Sequence, residues 1–299
     1  MALGNFYMAS FIRFLKRKRK LFYDYRVALY ERLADPLHIN ALSLVALLSN
    51  SLRRKIDFDL VLRKQHAFAL LNLADQAKRL GVKSATVIEF GVASGAGLLN
   101  LQNVSKRITK LTGIAFSIVG FDTGQGMPPP QSYKDHPELY QAGDFPMDFD
   151  ALSKLLDKNV ELIIGPLDKT IADFASRDFA RSPIGFVSID VDYYSSTMDA
   201  LKVFEGPADN FFPRIIVWLD DIGNLNHNSK CGELAAILDF SHQHPLRPIE
   251  RHPSLRNHRI FKNAPWIDHI YQCHVLDHPI RNTLNSARPQ NVATNAFLK

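Results

Sequence analysis

The stretch from Thr86 to Leu101, TVIEFGVASGAGLLNL, constrains this chain more than any other. A β-branched run, Thr86-Val87-Ile88, ends in a carboxylate, Glu89. Gly91, Gly95 and Gly97 follow, and from Leu98 the apolar pattern is helical. Strand, glycine turn and helix in that order make a ligand loop. Glycine lets the backbone turn sharply and lets a ligand come close, and the helix N-terminus presents free N–H groups there. The spacing is G-x-x-x-G-x-G. It is neither the G-x-G-x-x-G of a dinucleotide fold nor a P-loop, which needs G-K-[ST]. On its own it could be a plain βα turn.

From this point strands and helices alternate. Strands are predicted at 86–89, 117–122, 161–165, 185–190 and 214–220. Helices are predicted near 97–111, 151–157, 170–178, 197–205 and 232–242. Such alternation predicts an α/β fold, a Rossmann-like doubly wound and mostly parallel sheet. A late hairpin, with strands around 257–261 and 267–275, should complete it. Ligands of such sheets bind outside the carboxyl ends of the strands, and acids stand at those ends here: Glu89, Asp122, Asp190 with Asp192, and Asp220 with Asp221. A single Asp there can be only a cap or a turn residue. Two close pairs after apolar runs repel unless a cation relieves them. Hard oxygen donors suit Mg²⁺, with Mn²⁺ or Ca²⁺ as alternatives. The long segment 123–150, with Pro128-Pro129-Pro130, is expected to act as a lid or binding loop. His227 lies in a shorter loop beside the second acidic pair.

Before the first strand the chain reads as helical, with helices at 40–54 and 58–80 and Gly81 as a stop. The expected organisation is a helical N-terminal extension over 1–80, a Rossmann-like domain over 81–278 and a tail over 279–299. Residues 1–20 hold six Lys or Arg and no acid, within a basic arm spanning 1–35. The rest of the chain carries 30 basic and 30 acidic residues, so no nucleic-acid partner is expected. The arm itself suits peripheral contact with an anionic membrane or an acidic partner, or else a solvated appendage or a homo-oligomer contact. Cys231 and Cys273 are far apart, which fits a reducing, cytoplasmic setting. No apolar run approaches the roughly 20 residues of a membrane span, and no secretory signal is expected.

Four stretches carry a family resemblance. They are Glu89-Phe90-Gly91-Val92-Ala93-Ser94-Gly95; Phe121-Asp122-Thr123 with Gly126-Met127-Pro128; Gly165 with Lys169-Thr170; and Asp190-Val191-Asp192-Tyr193-Tyr194-Ser195-Ser196-Thr197 followed by Asp220-Asp221. Together, over roughly 86–240, they resemble the class I S-adenosylmethionine-dependent methyltransferases. Within that class they are most similar to the macrocin O-methyltransferase group, metal-dependent enzymes that methylate sugar hydroxyls. Val191, Ser195 and Gly124 depart from that group's usual glycine, glutamate and aromatic residue.

The resemblance implies S-adenosyl-L-methionine as cofactor, held by Glu89, Gly91, Ser94, Gly95, Asp122 and Thr123. It implies Mg²⁺ at Asp190, Asp220 and Asp221. Asp192 would take the proton of a small-molecule hydroxyl acceptor such as a sugar, with His227 as the reserve base. Two rivals remain at this stage. One is a metal-dependent glycosyltransferase using Asp190-Val191-Asp192 as its D-x-D motif. The other is a non-catalytic adaptor with a methyltransferase-like fold.

Overall fold

A computed structural model describes residues 32–223 and 226–282. Most of the basic arm and most of the C-terminal tail therefore lie outside the described residues. Ahead of the sheet, the described residues include the helices α1 (Leu37–Leu48), α2 (Leu52–Asp57) and α3 (Lys64–Leu80). Then follow β1 (Ser84–Phe90), α4 (Ala96–Thr112), β2 (Ala115–Asp122), α5 (Phe149–Ser153), β3 (Val160–Ile164) and α6 (Leu167–Ala175). The second half holds β4 (Ile184–Ile189), α7 (Tyr194–Leu201), β5 (Phe211–Leu219), α8 (Gly232–Gln243), β6 (Ile249–Arg251), β7 (Ile270–His274) and α9 (Pro279–Asn282).

The strands form one sheet in the order β3-β2-β1-β4-β5-β7-β6. The first five are parallel, and β7 runs antiparallel to both β5 and β6. Alternating side chains feed two apolar layers, as the two-residue period of a strand requires. Val87, Phe186, Ile216 and Trp218 pack with Leu70 and Leu73 of α3 and Leu98 and Leu101 of α4. Ile88, Val187, Ile215 and Val217 pack on the other face with Phe174 of α6, Leu201 of α7 and Phe240 of α8. Helix α3 thus belongs to the same core as the sheet. Farther out, the buried Arg259 donates to the carbonyls of Ile56 and Asp57 and to the Asp59 carboxylate. Trp266 donates to the other Asp59 oxygen, which fastens α2 to the C-terminal part.

The doubly wound sheet with its late antiparallel pair agrees with expectation, but several boundaries differ. The helix expected over 40–54 is broken at residues 49–51, where Ser51 caps α2 by accepting the Arg54 N–H. The next helix starts at Lys64 rather than 58. The strand expected at 257–261 does not form. A 3-10 turn occupies Leu255–His258, and β7 pairs with Ile249–Arg251 instead. Among the described residues, no helix is long and apolar enough to cross a membrane.

Candidate active site

The strand order reverses between β1 and β4, so helices leave to opposite faces there and a crevice opens at the carboxyl ends. A cavity of about 710 Å³ fills it. Gly91, Ala93, Asp122 and Thr123 form one wall. Asp190, Asp192, Asp220 and Asp221 form another, and residues 126–131 with Asp144 and Phe145 of the long loop cover it.

The β1 wall is made of backbone. Gly91 has φ +83°, and a Cβ there would lie 1.8 Å from the Asp190 carbonyl oxygen. Only glycine lets the ends of β1 and β4 come this close. Ala93 is also left-handed, φ +46°, which is strained for a residue with a side chain. Asp122 holds the turn in place. One of its oxygens accepts the N–H groups of Val92 and Ala93 at 3.0 and 2.8 Å, and the other accepts that of Gly124 at 2.7 Å. A carboxylate offers about four acceptor positions, so one remains for a ligand. Thr123 donates its hydroxyl to the Gly126 carbonyl.

Three of the expected cofactor residues sit differently. Glu89 is buried behind the loop, against Gly97 at the start of α4. Burial, then the charges of Asp190 and others, holds its carboxyl well above the usual range, and its Oε2 has no hydrogen-bond partner. Gly95 caps α4 in a left-handed conformation and faces Leu152 of α5, not the cavity. Ser94 is exposed and outside the cavity wall.

The acidic wall is crowded with like charge, which Arg63 offsets only in part. Asp190 is pushed up to about 8 by burial, with Asp220 and Asp192 adding to it. Asp221 is pushed up to about 9 by burial and by Asp192, with which it shares a hydrogen bond. Its own N–H donates to Glu233 of α8, a fully buried carboxyl that burial and Asp221 raise well above the usual range. Asp220 accepts from the Trp218 indole N–H at 3.0 Å. Among the described residues, no three His, Cys, Asp or Glu are gathered closely enough to hold an ion. The donor chemistry nonetheless fits a hard divalent cation, because these carboxylates repel one another.

Asp192 has φ +56°, and beside it lies a cluster that sequence reasoning missed in part. His136, from the long loop, is buried and binds Glu138 through Nδ1 at 3.0 Å. Its ring stacks on His227 at 4.6 Å. His136 Nε2 and both His227 ring nitrogens have no hydrogen-bond partner. A methyl placed on Gly232 would meet His227 Nδ1 at 3.1 Å, and His136 Nε2 and the Asp192 carbonyl at 3.4 Å. These three polar atoms converge on one point. Burial, and then His136, keeps His227 below the ordinary imidazole range. The long loop is anchored here by Asp135, which accepts the Gln131 N–H and both the N–H and hydroxyl of Ser195. The length of the loop was the only sequence signal for these groups.

No family model matches the chain, and no curated protein matches it. Solved structures do. CalS11, a calicheamicin methyltransferase, is 18% identical, with TM-score 0.49 over 79% of this chain and 90% of its own. An apo structure of CalS11, there called a TDP-rhamnose 3'-O-methyltransferase, gives 17% and 0.41 over 79% and 92%. A Mg-SAM structure of cmcI gives 12% and 0.35 over 68% and 70%.

Proposed function

We propose that the chain is an S-adenosylmethionine-dependent O-methyltransferase, assisted by a divalent metal, acting on a hydroxyl of a sugar or another small molecule. The observation that carries this is the pairing of two walls across one cavity. A glycine turn pinned by Asp122 faces a set of carboxylates that repel one another. The sheet itself agrees with the fold that the resemblance implies.

The residues divide the work as follows. The backbone of Gly91 to Ala93, the spare acceptor position of Asp122 and Thr123 would hold the cofactor's polar groups. Glu89 acts from behind the loop, filling the space under α4. Bound there, S-adenosylmethionine supplies a methyl group on a sulfonium, ready for in-line displacement. Asp190, Asp220 and Asp221 would hold Mg²⁺, or Mn²⁺ or Ca²⁺ in its place, and a cation there stabilises an alkoxide as a Lewis acid. Asp192, which lines the cavity, would take the proton of the acceptor hydroxyl, with His227 behind it as the reserve base.

Calorimetry with S-adenosylhomocysteine and with UDP-sugars, each with and without Mg²⁺, tests this. Low-micromolar binding of the former, about −8 kcal/mol, is expected. Binding of UDP-sugars alone would replace this reading with the glycosyltransferase one, in which Asp190 and Asp192 form the D-x-D motif. Binding of neither would favour the adaptor.

A further inference from the structure

Helix α1 is built inside out. Its sequence, LHINALSLVALL, contains no Asp, Glu, Lys or Arg. The face toward the protein carries Ile39, Asn40, Ser43 and Ala46, of which Ser43 and Ala46 are buried. Asn40 donates to the Arg32 carbonyl, and Ser43 donates to the Asn40 carbonyl. The opposite stripe, Leu37, Ala41, Leu44, Val45 and Leu48, is exposed, with Leu37 at 72%, Leu44 at 64% and Leu48 at 86%. The helical period puts these five on one side, and Leu42 and Leu47 widen the stripe. A surface helix normally buries its leucines and exposes its polar residues, and a contiguous exposed apolar patch marks an interaction site.

The charge around the stripe says what covers it. The segment before it carries six Lys or Arg in residues 13–20 and no acid before Asp24. Arg53 and Arg54 follow on α2 with exposed side chains, though Arg53 is paired with Asp75. Leucines on one face between basic segments suit an anionic lipid surface, where the apolar side enters the headgroup boundary and the cations meet the lipid charge. A second copy fits less well. Twelve residues span about 18 Å, far too little for the roughly 1,600 Å² of a stable interface, and pairing two such helices would bring two basic segments together.

We propose that α1 and the basic segment before it dock the protein on an anionic bilayer. This does not depend on the proposed reaction. The test is co-sedimentation of the full chain with vesicles of phosphatidylcholine alone and with 30% phosphatidylserine added (about 30%, enough for a clear surface charge). Two variants accompany it. Leu44→Ser with Leu48→Ser removes apolar area at positions already exposed, so folding should survive. Replacing Lys16, Arg17, Lys18 and Arg19 by Gln removes the charge. Binding to the anionic vesicles should exceed binding to the neutral ones at low salt, and each variant should lower it by about tenfold or more, with cofactor binding unchanged. Undiminished vesicle binding by the serine variant overturns the proposal. So does a wild-type dimer that ignores vesicles and dissociates in the serine variant, which would make a second copy the occupant of the stripe.

Discussion

The two walls of the cavity are built in opposite ways. On the β1 side the turn's polar groups are held within the fold, with Glu89 Oε2 behind it left unbonded. The turn is made of backbone, two of its N–H groups end on Asp122 beside that of Gly124 after β2, and glycine allows the strand ends to touch. On the β4–β5 side carboxylates crowd one another, Asp190 and Asp221 are pushed up to about 8 and 9, and behind this wall two imidazoles leave ring nitrogens unbonded. The first wall has its turn fixed by hydrogen bonds made within the fold. The second is complete only with something added: a cation, a proton or a substrate. Folded proteins seldom leave buried polar groups unpaired, so the unpaired wall is where chemistry is expected.

The largest predicted effect separates the walls by removing the added component from one of them. With an accepted substrate in hand, EDTA should abolish methyl transfer, while calorimetry with S-adenosylhomocysteine still shows most of the cofactor affinity. Asp220→Asn should likewise lose activity, with at most partial rescue by excess Mg²⁺, because a neutral amide is a weaker donor to a hard cation. Full turnover in EDTA would sink the metal-assisted mechanism. Asp192→Asn tests the proton acceptor: it should slow transfer by about 10²–10⁴-fold with the metal retained, and His227→Ala should slow it less.

Breaking the completed wall should act on binding and stability together. Gly91→Ala puts a methyl into the Asp190 carbonyl in a left-handed conformation. Neither neighbour is a flexible side chain, so the cost should reach about 3 kcal/mol or more, read as a lower denaturation midpoint. Cofactor affinity should fall with it. A variant as stable as the wild type would show that β1 and β4 can separate there. Asp122→Asn is milder. It keeps the shape, but its NH2 cannot accept, so at least the Gly124 N–H bond is lost and the others lose their charge, each worth about 1.5–3 kcal/mol when intact. Roughly tenfold weaker cofactor binding is expected. An unchanged Kd would mean that the turn holds its form without the charge.

The walls also differed in how far they could be read from the sequence. The sheet and the acids at its strand ends were legible, because apolar alternation and carboxylates after Ile189 and Leu219 are local patterns. The β1 turn was legible as a turn, but the jobs of its members were not. Gly95 answers to Leu152, Gly97 to Glu89 and Gly91 to Asp190, and these are contacts across the fold. Asp122 read as a ligand acceptor, yet most of its capacity goes to the chain itself. On the other wall, Asp135, His136 and Glu233 had no signal of their own. Their positions depend on how a long loop folds back onto α7 and α8. The strand at 249–251 escaped because an edge strand of three residues is too short for a period to show. The break in the first long helix escaped because Ser51 caps without the usual Glu or Gln three residues later.

The smallest effect, and the one most specific to the unfinished wall, is the response of stability to pH. Burial and the neighbouring carboxylates push Asp190 up to about 8 and Asp221 up to about 9, from a usual 3.8. Between these limits the folded chain binds more protons than the unfolded one. Stability is then greatest below the reference value and falls as pH rises toward 8 and 9. Asp190 and Asp221 act together and part of the wall is solvated, so the change should be modest. Without metal, Tm should drop by about a few degrees between pH 6 and pH 9. A cation would favour the ionised carboxylates, so Mg²⁺ should flatten or reverse the slope, and its binding at pH 7 should release protons. Two buffers of different ionisation enthalpy would reveal that release by calorimetry. Asp221→Asn should flatten the slope even without metal, since the amide has no proton to lose. A slope equally steep in that variant would move the titration elsewhere, and with it the contrast between the two walls.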